Sequence, residues 1–142
     1  MLDNLTEKAR QAILKAQEYV RARQQQEVQI AHLLRAMLDG EIAIPALLKK
    51  LNINETELNN KLAVIMDSYP KVYGVNNYGS HLSKEASAAV QISQTIAKES
   101  GDEFVAIDLL LLGILKVESD PTVRLLKSLG LKEGDLDRKS VV

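Results

Sequence analysis

The chain lacks cysteine and tryptophan and has one phenylalanine and four tyrosines among its 142 residues. Without cysteine there is no disulfide and no thiolate to hold a metal, a composition that is typical of a cytoplasmic protein. So few aromatic side chains leave little material for stacking nucleic-acid bases. Positive charge is not in excess either, because 18 Lys and Arg face 19 Asp and Glu. We therefore expect no nucleic-acid partner.

Long apolar runs are also missing. The most apolar region is 105–115, and Asp108 interrupts it, whereas a transmembrane helix needs about 20 apolar residues. The N-terminal residues show no apolar core behind a basic lead, so they do not indicate a signal peptide. We therefore expect no membrane partner. The length of 142 residues predicts a single domain.

Reactive side chains form no familiar catalytic motif. His32 and His81 lack the spacing of a zinc-binding helix, and no G-x-S-x-G nucleophile turn occurs. Gly74 and Gly79 have the spacing of a phosphate-binding loop, but Ser80 stands where the lysine is required. We expect no catalytic residue, no metal site and no cofactor. A small hydrolase stays an alternative only if a deep polar pocket surrounds one of the histidines.

The sequence contains an internal duplication. Residues 47–58 read LLKKLNINETEL, and residues 125–136 read LLKSLGLKEGDL, 78 positions later. A shift of 77 aligns the earlier segments, beginning with Leu5 on Leu82. Such repetition indicates a duplicated structural unit. We divide the single domain 1–142 into a first repeat (1–67), a loop-like linker (68–81) and a second repeat (82–142).

Apolar residues within each repeat recur at spacings of three and four, which predicts amphipathic helices. Helix starts are indicated by two candidate capping boxes and by a proline after a capping acid. These signals are Asn4 with Glu7, Asn54 with Glu57, and Asp120-Pro121. No segment shows the alternation of a strand. The pattern predicts an all-α, pseudo-two-fold domain of eight helices, four in each repeat.

The two repeats differ at positions that are apolar only in the second. The aligned pairs are Lys15 with Ile92, Tyr19 with Ile96, His32 with Leu109, and Arg35 with Leu112. Two interpretations are open: this extra apolar surface packs against the first repeat or continues the core, or it forms an exposed groove for a partner. An aliphatic groove would bind apolar peptide segments with little sequence preference, because burial is non-directional.

Several motifs resemble the N-terminal domain of the Clp/Hsp100 AAA+ ATPases, most closely that of the ClpB disaggregases. They are Leu5-Thr6-Glu7-Lys8-Ala9, Tyr69-Pro70-Lys71-Val72, Gly101-Asp102-Glu103-Phe104-Val105 and the apolar segment Leu109–Leu112. The resemblance covers essentially the whole chain and implies a duplicated helical domain. It also implies a chaperone function: weak binding of exposed apolar segments of unfolded or aggregated polypeptides, which are passed to downstream ATPase modules.

The resemblance also implies site residues. Groove contacts fall on Ile92, Ile96 and Leu109, and the comparison of the repeats adds Leu112. The polar rim falls on Thr6, Asp102 and Asp108, where the family usually has Glu at the position of Asp108. Thr6 is equally well placed to be a helix cap, and Asp102 to be an ordinary loop acid.

Further expectations follow from the resemblance. The domain itself is not an enzyme, and ATP and Mg are expected only in downstream modules of a cytoplasmic parent protein. The parent is expected to be a hexamer and the isolated domain a monomer. The alternative is an adaptor-docking N-domain of a Clp protease unfoldase of the ClpC or ClpA type, whose partner is a folded adaptor protein.

Overall fold

The computed structural model describes residues 2–40 and 43–136. The helices are α1 (Glu7–Ala22), α2 (Ile30–Gly40), α3 (Ala43–Lys50), α4 (Glu55–Ser68), α5 (Lys84–Glu99), α6 (Ile107–Leu115) and α7 (Pro121–Ser128), followed by a 3₁₀ turn (Glu133–Asp135). The predicted all-α class is confirmed. The eighth expected helix, from Asp135 onward, lies almost entirely outside the described residues.

Local signals explain where most of these helices begin. The Asn54 side chain accepts a hydrogen bond from the Glu57 N–H at 2.9 Å and caps α4. Asp120 caps α7, whose first residue is Pro121. For α1 the prediction was wrong, since the cap is Thr6, not Asn4. The Asn4 carbonyl instead accepts a hydrogen bond from the Val105 N–H at 2.7 Å, which ties it to the second repeat.

Two short parallel pairings join the repeats. Strand β1 (Glu27–Val28) pairs with β2 (His81–Leu82), with Val28 opposite Leu82, and an isolated bridge pairs Leu5 with Val105. The two pairings are equivalent under the shift of 77 residues, which places Leu5 on Leu82 and Val28 on Val105. Each repeat therefore pairs the residue leading into its first helix with the residue leading into the other repeat's second helix. These strands were missed because two residues are too few to show alternation.

Each repeat packs its first two helices against each other, and the buried side chains of both repeats form one core. In the second pair Gly113 lies against α5. A Cβ on Gly113 would lie 2.4 Å from the Ala89 carbonyl oxygen and 3.0 Å from the Ser93 Cβ. Only glycine lets α6 approach α5 this closely.

The linker is hydrogen-bonded to the turn that follows α1. The Val72 N–H donates to the Gln24 carbonyl at 2.8 Å, and the Gly79 N–H donates to that of Gln26 at 2.9 Å. The Gln17 side-chain amide donates to the Gly79 carbonyl at 3.0 Å. Gly79 has a φ of 70°, a conformation that glycine adopts without strain. These bonds place β2 beside β1.

Candidate functional site

A groove of about 260 Å³ lies between α5, α6 and the 3₁₀ turn of the second repeat. Its apolar wall consists of Ile96, Leu109, Leu112 and Leu136. The wall thus brings together three of the four predicted groove residues, drawn from two helices. Ile92, one turn before Ile96, is half-buried and is not among the lining residues.

Two leucines of the groove, Leu109 and Leu112, also belong to the core. Leu109 is 5% exposed and Leu112 is 8% exposed, whereas Ile96 is half-buried and packs against the core from the outside. Most of the surface of Leu109 and Leu112 therefore lies in the core, as the first interpretation expects, and only a small exposed part lines the groove. Ile96 is the residue of the three that a partner would cover most.

The rim of the groove is mainly acidic. Asp102, the only predicted rim residue that lines it, is joined by Glu99, Glu133 and Lys116. Lys116 is paired with Glu133, with 2.7 Å between Nζ and Oε1. The sequence could have predicted two of these rim residues, because residues three or four apart share a helix face. Glu99 follows Ile96 by three residues, and Lys116 follows Leu112 by four. Glu133 and Leu136 reach the groove through tertiary packing, which no local pattern reveals.

Thr6 and Asp108 serve the ends of helices. The Thr6 hydroxyl accepts a hydrogen bond from the Ala9 N–H at 3.2 Å, while the Thr6 N–H donates to the Val105 carbonyl at 3.0 Å. Asp108 lies in the first turn of α6, where its negative charge interacts favourably with the positive end of the helix dipole. Neither lines the groove, and their part in binding stays a prediction.

The equivalent surface of the first repeat is covered by polar interactions. Lys15 Nζ lies 2.6 Å from Asp39 Oδ2, to which the Tyr19 hydroxyl also donates at 3.1 Å. The hydrogen bond from Lys15 is the main cause that lowers the pKa of the Asp39 carboxyl. Arg35 lies 5.8 Å from the centre of the Tyr19 ring. The first repeat therefore offers no apolar groove at these positions.

His32, the counterpart of Leu109, is fully buried with both ring nitrogens bonded. Its Nδ1 accepts from the Gln29 N–H at 2.9 Å, which leaves Nε2 to donate to Gln25 Oε1 at 2.8 Å. Burial, assisted by the charge of Arg23, lowers the pKa of His32 to about 4. The imidazole is thus neutral at pH 7, and neither nitrogen is available as a base or a ligand.

His81 lies at the surface in a polar arrangement. Ser80 Oγ is 3.1 Å from His81 Nδ1, and His81 Nε2 is 3.4 Å from Glu27 Oε2. More than half of the His81 side chain is exposed, so water competes with its contacts to Ser80 and Glu27. Within residues 2–40 and 43–136 no three metal-binding side chains cluster. The hydrolase alternative gains no support.

The sequence matches a known protein family, and the fold matches solved structures. The family model described as the Clp repeat (R) N-terminal domain matches residues 4–129. The chain belongs to this family. In the part of this Clp N-terminal domain that the structure describes, no helix combines the length and apolarity needed to cross a bilayer.

Curated relatives of this Clp N-terminal domain are chaperones. The domain is 33% identical over 135 residues to the chaperone protein ClpB of Bacteroides thetaiotaomicron, a match that covers 94% of this chain and 15% of that protein. It is 27% identical over 141 residues to ClpB of Enterococcus faecalis, covering 99% of this chain and 16% of that protein. The chain therefore spans only about a sixth of the length of these relatives.

Solved structures share the fold at low sequence identity. The Hsp104 N-terminal domain of Candida albicans superposes with a TM-score of 0.81 at 17% identity, covering 98% of this chain and 90% of that one. The N-terminal domain of ClpV1 from Escherichia coli gives 0.78 at 22% identity, covering 98% and 85%. The predicted family and fold are both confirmed.

Proposed function

We propose that this Clp N-terminal domain binds exposed apolar segments of unfolded or aggregated polypeptides in the groove between α5 and α6. It would act as the substrate-engaging domain of an ATP-dependent disaggregase. The observation that carries the proposal is the one-sided replacement between the repeats. Four positions that carry Lys, Tyr, His and Arg in the first repeat carry Ile or Leu in the second, and three of them line one groove.

The groove favours weak and transient binding. Burying one aliphatic side chain gains about 1.5–3 kcal/mol, and the cost of ordering a peptide offsets much of it. Weak binding suits a domain that must release each segment. The ClpB relatives, which are named chaperones, support a role in binding polypeptides.

The remaining steps of disaggregation belong to other modules of the parent protein. ATP and Mg would bind in those modules, and their assembly would produce the hexamer. This domain alone would be a monomer that captures segments and passes them on.

Substitution of Ile96 tests the groove directly. Ile96 is half-buried, so Ile96→Glu places a charge in the groove without removing a fully buried side chain. We expect affinity for labelled unfolded casein to fall roughly ten-fold, the worth of one buried aliphatic side chain. Fluorescence anisotropy measures the affinity, and circular dichroism checks the fold.

Val64→Glu is the matched control, because Val64 is an apolar residue that is 71% exposed on α4. It should bind casein like the wild type. A folded Ile96→Glu protein with undiminished affinity would rule out the groove. Recovery of one dominant folded protein from cytosol, lost in the same variant, would instead favour the adaptor-docking alternative.

A further inference from the structure

A buried glutamine holds the C-terminal end of α4 in the first repeat. Gln25 is 1% exposed, and its side-chain amide donates to the Met66 carbonyl at 2.6 Å and to the Tyr69 carbonyl at 3.3 Å. The last carbonyls of a helix have no partner within the helix. Gln25, which lies in the turn after α1, therefore supplies part of the cap that α4 lacks.

The orientation of Gln25 depends in turn on His32. Gln25 Oε1 accepts a hydrogen bond from His32 Nε2 at 2.8 Å, so the amide nitrogen of Gln25 is the end that faces α4. His32 Nδ1 accepts from the Gln29 N–H at 2.9 Å, which requires a neutral imidazole. One chain of hydrogen bonds therefore runs from the start of α2 through His32 and Gln25 to the end of α4.

Tyr69, the residue that follows α4, covers the ring of His32. The two ring centres lie 5.6 Å apart, and His32 is fully buried. Burial and the charge of Asp120, at the start of α7, raise the pKa of the Tyr69 hydroxyl to about 12, so this side chain is neutral at pH 7 and below. Tyr69 belongs to the linker, and its position therefore also decides where the linker leaves the first repeat.

Charged groups approach this site from four elements. Burial is the main cause that lowers the pKa of His32, and the charge of Arg23, in the turn after α1, adds to it. Asp67 of α4 is paired with Arg23 at 3.1 Å. Asp120 of α7 and Glu85 of α5 act on the tyrosine that covers the ring. A protonated His32 would therefore be a buried cation beside a second cation whose carboxylate partner is already engaged.

We propose that this arrangement is an acid-sensitive switch: when His32 takes up a proton, the C-terminal end of α4 and the start of the linker detach from α2. Proton uptake turns Nδ1 from an acceptor into a donor, so that it opposes the Gln29 N–H. It also leaves a charge in a site without water, and the ring regains water when Tyr69 moves away. A helix end opens at a lower free-energy cost than the whole domain, so the change stays local.

The pKa of His32 sets the size of the effect. It is about 4 while the end of α4 is in place, and the ordinary value of a hydrated imidazole is 6.5. The open form therefore binds the proton more tightly than the closed form, and its population rises as the pH falls from 6.5 towards 4. Between pH 7 and about pH 4.5 the rise amounts to roughly 50-fold. Above pH 7 the population of the open form does not depend on His32.

Thiol labelling measures this opening, because the chain has no cysteine of its own. Met66→Cys, at a position that is 2% exposed, reports the end of α4, and Leu58→Cys, at a fully buried position near the start of α4, reports unfolding of the whole domain. Both proteins are labelled with dithiodipyridine at several pH values, and each rate is divided by that of an unstructured cysteine peptide. We expect the Met66→Cys protein to react faster than the Leu58→Cys protein at every pH, with a corrected rate that rises roughly 50-fold from pH 7 to about pH 4.5.

Two further substitutions in the Met66→Cys protein test the parts of the switch. His32→Asn should remove most of the rise with acid, and Gln25→Leu should raise the corrected rate roughly ten-fold at pH 7, because two buried hydrogen bonds to the end of α4 are lost. Equal rates in the Met66→Cys and Leu58→Cys proteins would overturn the switch without any further variant, since the end of α4 would then open only with the whole domain. A rise with acid that persists in His32→Asn, or an unchanged rate in Gln25→Leu, would overturn it as well.

Discussion

His32 couples the stability of the first repeat to pH. Its neutral ring accepts one hydrogen bond and donates another, so protonation removes the acceptor that the Gln29 N–H needs. The pKa is about 4 in the folded protein, against an ordinary value of 6.5. Between these values the unfolded chain binds more protons than the folded one, so stability falls as the pH falls.

We expect the domain to have its full His32 contribution above pH 6.5 and to lose up to about 3 kcal/mol of it towards pH 4. Urea unfolding at several pH values measures this slope. His32→Asn should flatten it between pH 6.5 and 4, because Asn does not titrate. An unchanged slope in His32→Asn would contradict the prediction.

At the scale of elements, the close approach of α6 to α5 depends on Gly113. Alanine normally stabilises a helix relative to glycine by about 1 kcal/mol. Here its Cβ would meet the Ala89 carbonyl, so the helices must separate. We expect Gly113→Ala to destabilise the domain by about 1–3 kcal/mol, measured by urea unfolding.

Ala36 provides the matched control because it is the counterpart of Gly113 in α2. Ala36→Gly should cost about 1–2 kcal/mol, because it lowers helix propensity and removes a methyl group that is buried in the core. A Gly113→Ala protein as stable as the wild type would mean that α5 and α6 can separate freely. Since these two helices form the walls of the groove, casein affinity of the variant is worth measuring too.

At the scale of the molecule, the reciprocal pairings make each repeat depend on the other. A fragment 1–80 keeps Leu5 without Val105, and a fragment 81–142 keeps Leu82 without Val28. Each fragment also loses its share of the common core, and chains this short are marginally stable. We expect both fragments to be largely unfolded by circular dichroism and to gain helix when mixed.

A protein cut inside the linker is the control. A protease site is introduced beside Tyr73, which is 69% exposed. Cleavage there should not unfold the domain, because the strand pairings and the common core still hold the two parts together. Cooperative unfolding of either fragment alone would show that the repeats are independent.

Local chemistry made much of the fold predictable, and tertiary contacts account for the misses. Asn54 and Asp120 were predicted as caps because a cap signal lies within four residues. Asn4 was the wrong cap for α1, since the Leu5–Val105 bridge decides where that helix starts. Comparison of the repeats predicted three residues of the groove wall, but it also predicted Ile92, which does not line the groove, and it missed Leu136. The acidic rim at Glu133 and the covering of His32 by Tyr69 depend on packing between distant segments.

The Leu5–Val105 bridge can form only late in the synthesis of the chain. Its two residues are one hundred positions apart, and ribosomes add about 5–20 residues per second. The N-terminal segment therefore waits at least about 5 seconds before its partner exists, while α1 and α2 can already meet. In the nascent chain Leu5 therefore stays without its bridge partner throughout that interval. Codon changes that slow translation between residues 83 and 105 would lengthen the wait without altering the finished protein.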